Sequence, residues 1–159
     1  MALVDPHSYA DPDQGRVTRL GLILDVDFGA KRLIGSATLG LEGAKGGHLD
    51  LDTRDLDIQK VVLGDGTQLK FTLGDEDEVL GQKLSVVVPD GTDEITVHYA
   101  TSPNASALQW LDPALTAGKK HPYLFSQCQA IHARSMAPLQ DTPRCRIPYT
   151  AEITVPDPL

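Results

Sequence analysis

The amino-acid sequence predicts an all-β fold, an antiparallel β-sandwich or pair of saddle-shaped sheets, with one or two short helical turns near the carboxy-terminal third. Three observations carry this. Apolar and polar residues alternate with a period of two in several stretches between residues 19 and 99, the period that sends successive side chains to opposite faces of a strand. Glycine, proline and aspartate cluster between those stretches as turns. Seven or so strands at a spacing of about 8 to 12 residues is the pattern of antiparallel sheets packed face to face.

Residues 1–16 hold Pro6, Pro12 and Gly15 among polar residues without periodicity and read as an extended arm; a β domain is expected over 17–159. In 19–28, Leu20, Leu22, Leu24, Val26 and Phe28 share one face, and Arg19, Gly21, Asp25 and Asp27 the other. A turn at 29–32 leads into a second, antiparallel strand in which Leu33, Gly35, Ala37, Leu39 and Leu41 alternate. Glycines at 43–47 break the chain, strands follow at 49–52 and 56–63, and Gly64 and Gly66 turn it again. Residues 69–73 are expected to return antiparallel to 56–63. The acidic run 75–78 reads as a solvated loop, because calcium loops space their ligands more widely.

Residues 84–88 and 94–99, joined by a turn at Pro89 and Gly91, are expected to form a further pair. From 101 to 120 the strand pattern stops, and Asp112 and Pro113 cap and begin one helical turn ending at Gly118. Trp110, the only tryptophan, reads as a core or domain-interface anchor.

A chain of 159 residues has room for one domain with a real core and not for a second catalytic domain. A net charge of -8 without a basic stripe argues against a nucleic-acid partner. No run of 18 apolar residues suggests a membrane helix, and the first residues lack a basic stretch followed by an apolar one. A cytoplasmic location is expected, with Cys128 and Cys145 reduced.

The chemistry-bearing motifs are sparse. The histidines, His7, His48, His98, His121 and His132, show no His-Glu-x-x-His spacing, and the two cysteines form no Cys-x-x-Cys pair, so no metal ligands are assigned. His132 stands four residues from Cys128, compatible with a metal pair or a Cys–His nucleophile, but a packed histidine is the expected reading. The carboxylate pairs Asp25 with Asp27 and Asp50 with Asp52 sit at strand period and read as solvated sheet faces. No catalytic residue is assigned in this chain.

Residues 121–155 differ from the rest. A strand-like piece at 123–125 runs into the uncharged Gln127, Cys128 and Gln129, followed by a helix-compatible segment at 131–136, turns at Pro138 and Pro143, and a strand at 149–155. A buried amide without a partner costs about 1 to 3 kcal/mol, so these glutamines are either satisfied in the fold or offered to a ligand.

Gln129, Ala133, Arg134, Pro138, Asp141 and Pro143 follow the spacing Gln-x3-Ala-Arg-x3-Pro-x2-Asp-x-Pro. That spacing resembles the end of the amino-terminal domain of zinc aminopeptidases related to aminopeptidase N. The run His-Pro-Tyr-Leu-Phe-Ser-Gln-Cys-Gln-Ala-Ile-His at 121–132, with Ser-Ala-Leu-Gln-Trp at 106–110 and Gln-Asp-Thr-Pro at 140–143, resembles the leukotriene A4 hydrolase branch.

The resemblance extends over residues 5–155. It implies that Gln129 helps hold the free amino group of a peptide substrate. It also implies that Ala130 lies at the adjoining contact position and that Gln127 and Cys128 belong to the same cleft wall. Arg134, Asp141, Pro138 and Pro143 then form a structural motif. The zinc, and the residues that bind it, are implied to lie in a catalytic domain of the same polypeptide, and Leu159 is expected to fall inside that longer chain. Cys145, Arg144 and Arg146 depart from the closest pattern. Two alternatives stand beside this reading. One is a stand-alone β-sandwich module that binds a protein or peptide and self-associates through an open sheet edge; the other is an independent enzyme using Cys128 and His132.

Overall fold

A strand of alternating side chains can bury one face only if a second layer covers it, and here two sheets cover each other. The computed structural model describes residues 5–159, so residues 1–4 of the arm lie outside the described residues. Strands β1 (Arg16–Asp27) and β2 (Arg32–Glu42) form a long antiparallel hairpin. Around it a six-stranded sheet assembles in the order β11-β1-β2-β8-β4-β5. Its other members are β4 (Asp57–Leu63), β5 (Gln68–Leu69), β8 (Glu94–Ala100) and β11 (Tyr149–Thr154). Strands β3 (Lys45–Thr53), β6 (Phe71–Leu73) and β7 (Gln82–Asp90) make a three-stranded sheet in the order β3-β7-β6. A two-stranded hairpin, β9 (Leu108–Leu111) with β10 (Tyr123–Ser126), completes the set.

The alternation read from β1 is the alternation observed: Leu20, Leu22, Leu24 and Val26 are buried, while Ile23 on the opposite face is 60% exposed. Their inner face meets Leu49 and Leu51 of β3 and Leu84, Val86 and Val88 of β7 in one continuous apolar core. The all-β fold is therefore real, its strands antiparallel except where β11 joins β1, with three short 3-10 turns, Pro113–Leu115, Ala117–Lys119 and Ala133–Ser135, as the helical content of the described residues.

Four local expectations change. Residues 69–73 do not run as one strand beside β4. Leu69 pairs with Val61 of β4, whereas Phe71 pairs with Val86 of β7, and the Lys70 carbonyl accepts the Val87 N–H at 2.8 Å as the chain crosses between sheets. Strands β7 and β8 are not partners either. Val86, Val88, Ile95 and Val97 all point into the shared core, so the turn at Gly91 (φ +73°) joins the two layers instead of two neighbours. Strand β9 lies where no strand was expected, because four residues are too few to show a period. The segment 131–136 forms only the single turn Ala133–Ser135.

Strand β11 runs parallel to β1, pairing Leu20 with Tyr149 and Leu24 with Ile153. Among the described residues no helix is long and apolar enough to cross a membrane.

Glycine at position 35 is demanded by the hairpin. A Cβ built there stands 1.9 Å from the Ile23 carbonyl oxygen, a backbone atom that cannot step aside without breaking the β1–β2 ladder. Gly35→Ala is expected to cost about 1 to 3 kcal/mol or more by overpacking. At Gly64 the nearest heavy atom is a Glu94 carboxylate oxygen at 3.8 Å, so Gly64→Ala is expected to stay within about 0.5 kcal/mol. Thermal melts of the two variants check this, and equal melting temperatures contradict the geometry.

Candidate functional site

The site begins where β10 ends. Leu124 and Trp110 are paired across the β9–β10 hairpin and pack on the core, with Trp110 edge-on to Phe28 at a centroid distance of 5.5 Å. Past Ser126 the chain leaves the strand. The Gln127 N–H donates to the Ala107 carbonyl at 2.9 Å, and the Gln127 side-chain oxygen accepts the Gln129 N–H at 3.0 Å. The His132 N–H donates to the Cys128 carbonyl at 2.9 Å, and the Gln129–Ala130 peptide is cis. Buried Ser135 rivets the loop from below, its hydroxyl donating to the His132 carbonyl at 2.8 Å and accepting the Ala107 N–H at 2.9 Å. The Met136 carbonyl takes the hydroxyl of the buried Tyr99 at 2.9 Å.

Behind the loop lies Arg134, fully buried. Its Nε donates to Asp141 Oδ2 at 3.1 Å, Nη1 to the Leu80 carbonyl at 2.7 Å, and Nη2 to the carbonyls of His7 at 2.7 Å and Asp141 at 3.1 Å. Nη1 also stands 3.7 Å from Asp52 Oδ1, a carboxylate with no exposed surface. Asp52 in turn accepts the Ser8 hydroxyl at 2.5 Å, the Tyr9 N–H at 2.7 Å and the Asp141 N–H at 2.9 Å. Burial pushes the Asp52 carboxyl up, against the downward pull of the Ser8 and Tyr9 hydrogen bonds and of the Arg134 charge.

Asp50 and Asp52 thus correct the expectation of a solvated face. The side of β3 that alternation assigned to water is covered by the arm and by residues 139–141. Asp50 accepts the Ser85 hydroxyl at 2.6 Å and the Gln14 amide at 3.2 Å, with the Lys83 ammonium 3.5 Å away. Asp25 and Asp27, by contrast, are exposed.

An open cavity of about 520 Å³ sits on this frame, lined by Asp5, His7, Gln129, Ala130, Ile131, Asp141, Thr142 and Pro143. Gln129 and Ala130 therefore share one wall, and Asp141 and Pro143 of the structural motif border it. Gln127 and Cys128 do not line it: Gln127 spends its amide oxygen on the loop, and Cys128 is half-buried. Arg134 and Pro138 are buried behind.

Asp5 accepts the Thr142 hydroxyl at 2.5 Å and the His7 N–H at 2.9 Å, and the Thr142 bond holds its carboxyl below the usual range. The His132 ring bonds to the Ser106 hydroxyl at 2.9 Å, and burial raises the Cys128 thiol, as it does that of Cys145. Both cysteines are free thiols. Among the described residues no group of three or more His, Cys, Asp or Glu side chains is placed to hold a metal ion.

Sequence reasoning missed Asp52, Ser8, Asp5, Thr142 and Gln140. Gln140 is buried, accepting the Val17 N–H at 2.9 Å and donating to the Gly15 carbonyl at 2.8 Å. Only its position inside the Gln-Asp-Thr-Pro run could have drawn notice.

Comparison with known proteins gives a consistent set. A family model described as the Peptidase M1 N-terminal domain matches residues 5–159. Leukotriene A-4 hydrolase of Xenopus laevis is 38% identical over 164 residues, covering 99% of this chain and 27% of that protein. Leucine aminopeptidase 2 of Yarrowia lipolytica is 38% identical over 159 residues, covering 98% of this chain and 24% of that protein. A solved structure of yeast LTA4 hydrolase in complex with bestatin matches with a TM-score of 0.89 at 34% identity, covering 98% of this chain and 25% of that one. The chain spans about a quarter of the length of the relatives it matches.

Two outcomes follow from the geometry. Arg134→Met strips the counter-charge from buried Asp52 and half-buried Asp141 and is expected to cost about 3 to 5 kcal/mol in denaturant unfolding; an unchanged midpoint contradicts the assignment. Asp5 carries a pH signature. Its carboxyl is lowered in the fold, so the unfolded chain binds that proton more readily, and its stabilising contribution is complete above the ordinary value of 3.8 and lost as pH falls through the folded value. Asp5→Asn is expected to flatten the acid limb of the stability curve, and an identical limb in both proteins overturns this.

Proposed function

The chain belongs to the Peptidase M1 N-terminal domain family, and from that premise we propose that it forms one wall of the substrate cleft of a zinc-dependent aminopeptidase. In this reading the wall recognises the free amino terminus of a peptide. The supporting observation is the placement of Gln129, exposed on the cavity wall in a loop whose backbone is tied at Gln127, Gln129 and His132.

An ammonium offers three donors and no acceptor, so a fixed amide oxygen suits it. The carboxylates of Asp5 and Asp141 on the same cavity favour a cation further, and the small side chain of Ala130 leaves room for the peptide to approach. The described residues do not fit a zinc site; a zinc held by the catalytic domain of the same polypeptide would supply activation of the attacking water. This chain contributes binding and orientation.

The partner domain also answers an open face. Tyr149 and Ile153 of β11 lie on the same side of the sheet as Leu20 and Leu24, yet are 71% and 56% exposed, so the inner face is uncovered at that end. In the whole enzyme further polypeptide covers it. An isolated chain would instead tend to self-associate there, which is what the stand-alone module reading has in its favour. Free thiols at Cys128 and Cys145 suit the cytoplasm as the working compartment.

The test uses the polypeptide that joins this domain to its catalytic domain, with an aminoacyl p-nitroanilide as substrate. Gln129→Ala is expected to lower kcat/KM about 10- to 100-fold, the worth of a hydrogen bond to a charged group. Gln129→Glu, which keeps an acceptor, should retain most of the activity. An unchanged kcat/KM in Gln129→Ala removes the residue from substrate recognition.

A further inference from the structure

We propose that the amino-terminal arm, residues 5–9, is a positioning element of this recognition wall, holding the segment that carries Gln129 in place through Asp5, Ser8 and the His7 carbonyl. The inference rests on the reading of Gln129 given above.

Three observations carry it. First, residues 5–9 contribute nothing to the apolar core: Pro6 and His7 are exposed, and Asp5, Ser8 and Tyr9 are only half-buried. Burial of apolar surface is therefore not what keeps the arm in place. Second, the hydrogen bonds by which residues 5–9 reach beyond the arm go to the buried polar frame under the site. Asp5 takes the Thr142 hydroxyl, the His7 carbonyl takes Arg134 Nη2, and Ser8 and Tyr9 donate to Asp52, whose Oδ2 also holds the Asp141 N–H. Third, the arm and the Gln129 loop line the same cavity, with Asp5 and His7 together with Gln129, Ala130 and Ile131.

The polar groups on that wall divide by role. Both oxygens of Asp5 are committed, one to His7 and one to Thr142. Asp141 Oδ2 is committed to the N–H and Nε of Arg134. Gln129 enters the network through its backbone N–H, which leaves its side-chain amide available to a ligand. Asp5 is thus a positioning residue and not a ligand itself. Loosening the arm frees Thr142 and one guanidinium donor of Arg134, the residue five positions after Gln129, and so widens the range of positions that the amide samples. The consequence is weaker substrate binding with little change at the reacting bond.

The experiment is a mutant cycle in the polypeptide that joins this domain to its catalytic domain, read with an aminoacyl p-nitroanilide. Asp5→Ala and Thr142→Val remove the same bond from opposite ends, and each is expected to raise KM about three- to tenfold with kcat nearly unchanged, the size of coupling seen between residues of one network. Thr142→Ser keeps the hydroxyl and should restore KM. In a Gln129→Ala background the same arm variants should change KM by less than about twofold, because the group they position is gone.

A normal KM in both arm variants overturns the inference, as does an equal rise with and without Gln129, while leaving the role of Gln129 intact. A silent Gln129→Ala overturns the reading beneath it as well. Melting temperatures of the two arm variants are compared throughout, so that loss of fold in one is caught by the other.

Discussion

The guanidinium of Arg134 is the constraint on which the site depends. A buried charge is tolerated only when its hydrogen-bond directions are filled, and Arg134 fills its own with three carbonyls and one carboxylate, with a second carboxylate close by. These partners come from four separate parts of the chain: the arm at His7, β3 at Asp52, the loop at Leu80 and the segment at Asp141. No single element could place the Gln129 loop. The arginine draws the four into one frame, and the loop rests on it.

The apolar core and the polar frame have separate tasks. Leucines and valines of the two sheets supply the burial that makes the sandwich stable. The frame adds little area but fixes directions, since each of its bonds is made only in one arrangement. Asp52 and Asp141 both face the Arg134 guanidinium, and Asp5 and Asp141 border the cavity.

How much of this was legible in the sequence depends on range. Strands β1 and β2 were readable residue by residue, because Leu20 to Val26 and Leu33 to Leu41 alternate over enough turns of the pattern to exclude a helix. The crossing at Lys70 was not readable, since nothing in that residue marks a change of sheet. Asp52 was misread for a related reason: alternation reports which face a residue points to, but not whether a distant arm will cover that face. Ser8 and Asp5 gave no local signal at all, being ordinary polar residues whose partners lie far along the chain, and Thr142 stood out only as part of the Gln-Asp-Thr-Pro run. The Gln129 to Pro143 spacing was legible only as a resemblance, and the structure gives its physical content, with Arg134 and Asp141 bonded to each other.

The measurement that bears most directly on the central claim is hydrolysis of an aminoacyl p-nitroanilide by the purified 159-residue chain, with zinc supplied and with a chelator as control. A wall without its opposite half should show no chelator-sensitive turnover. Turnover abolished by the chelator would contradict the account, and would require a metal centre built from histidines that here stand apart.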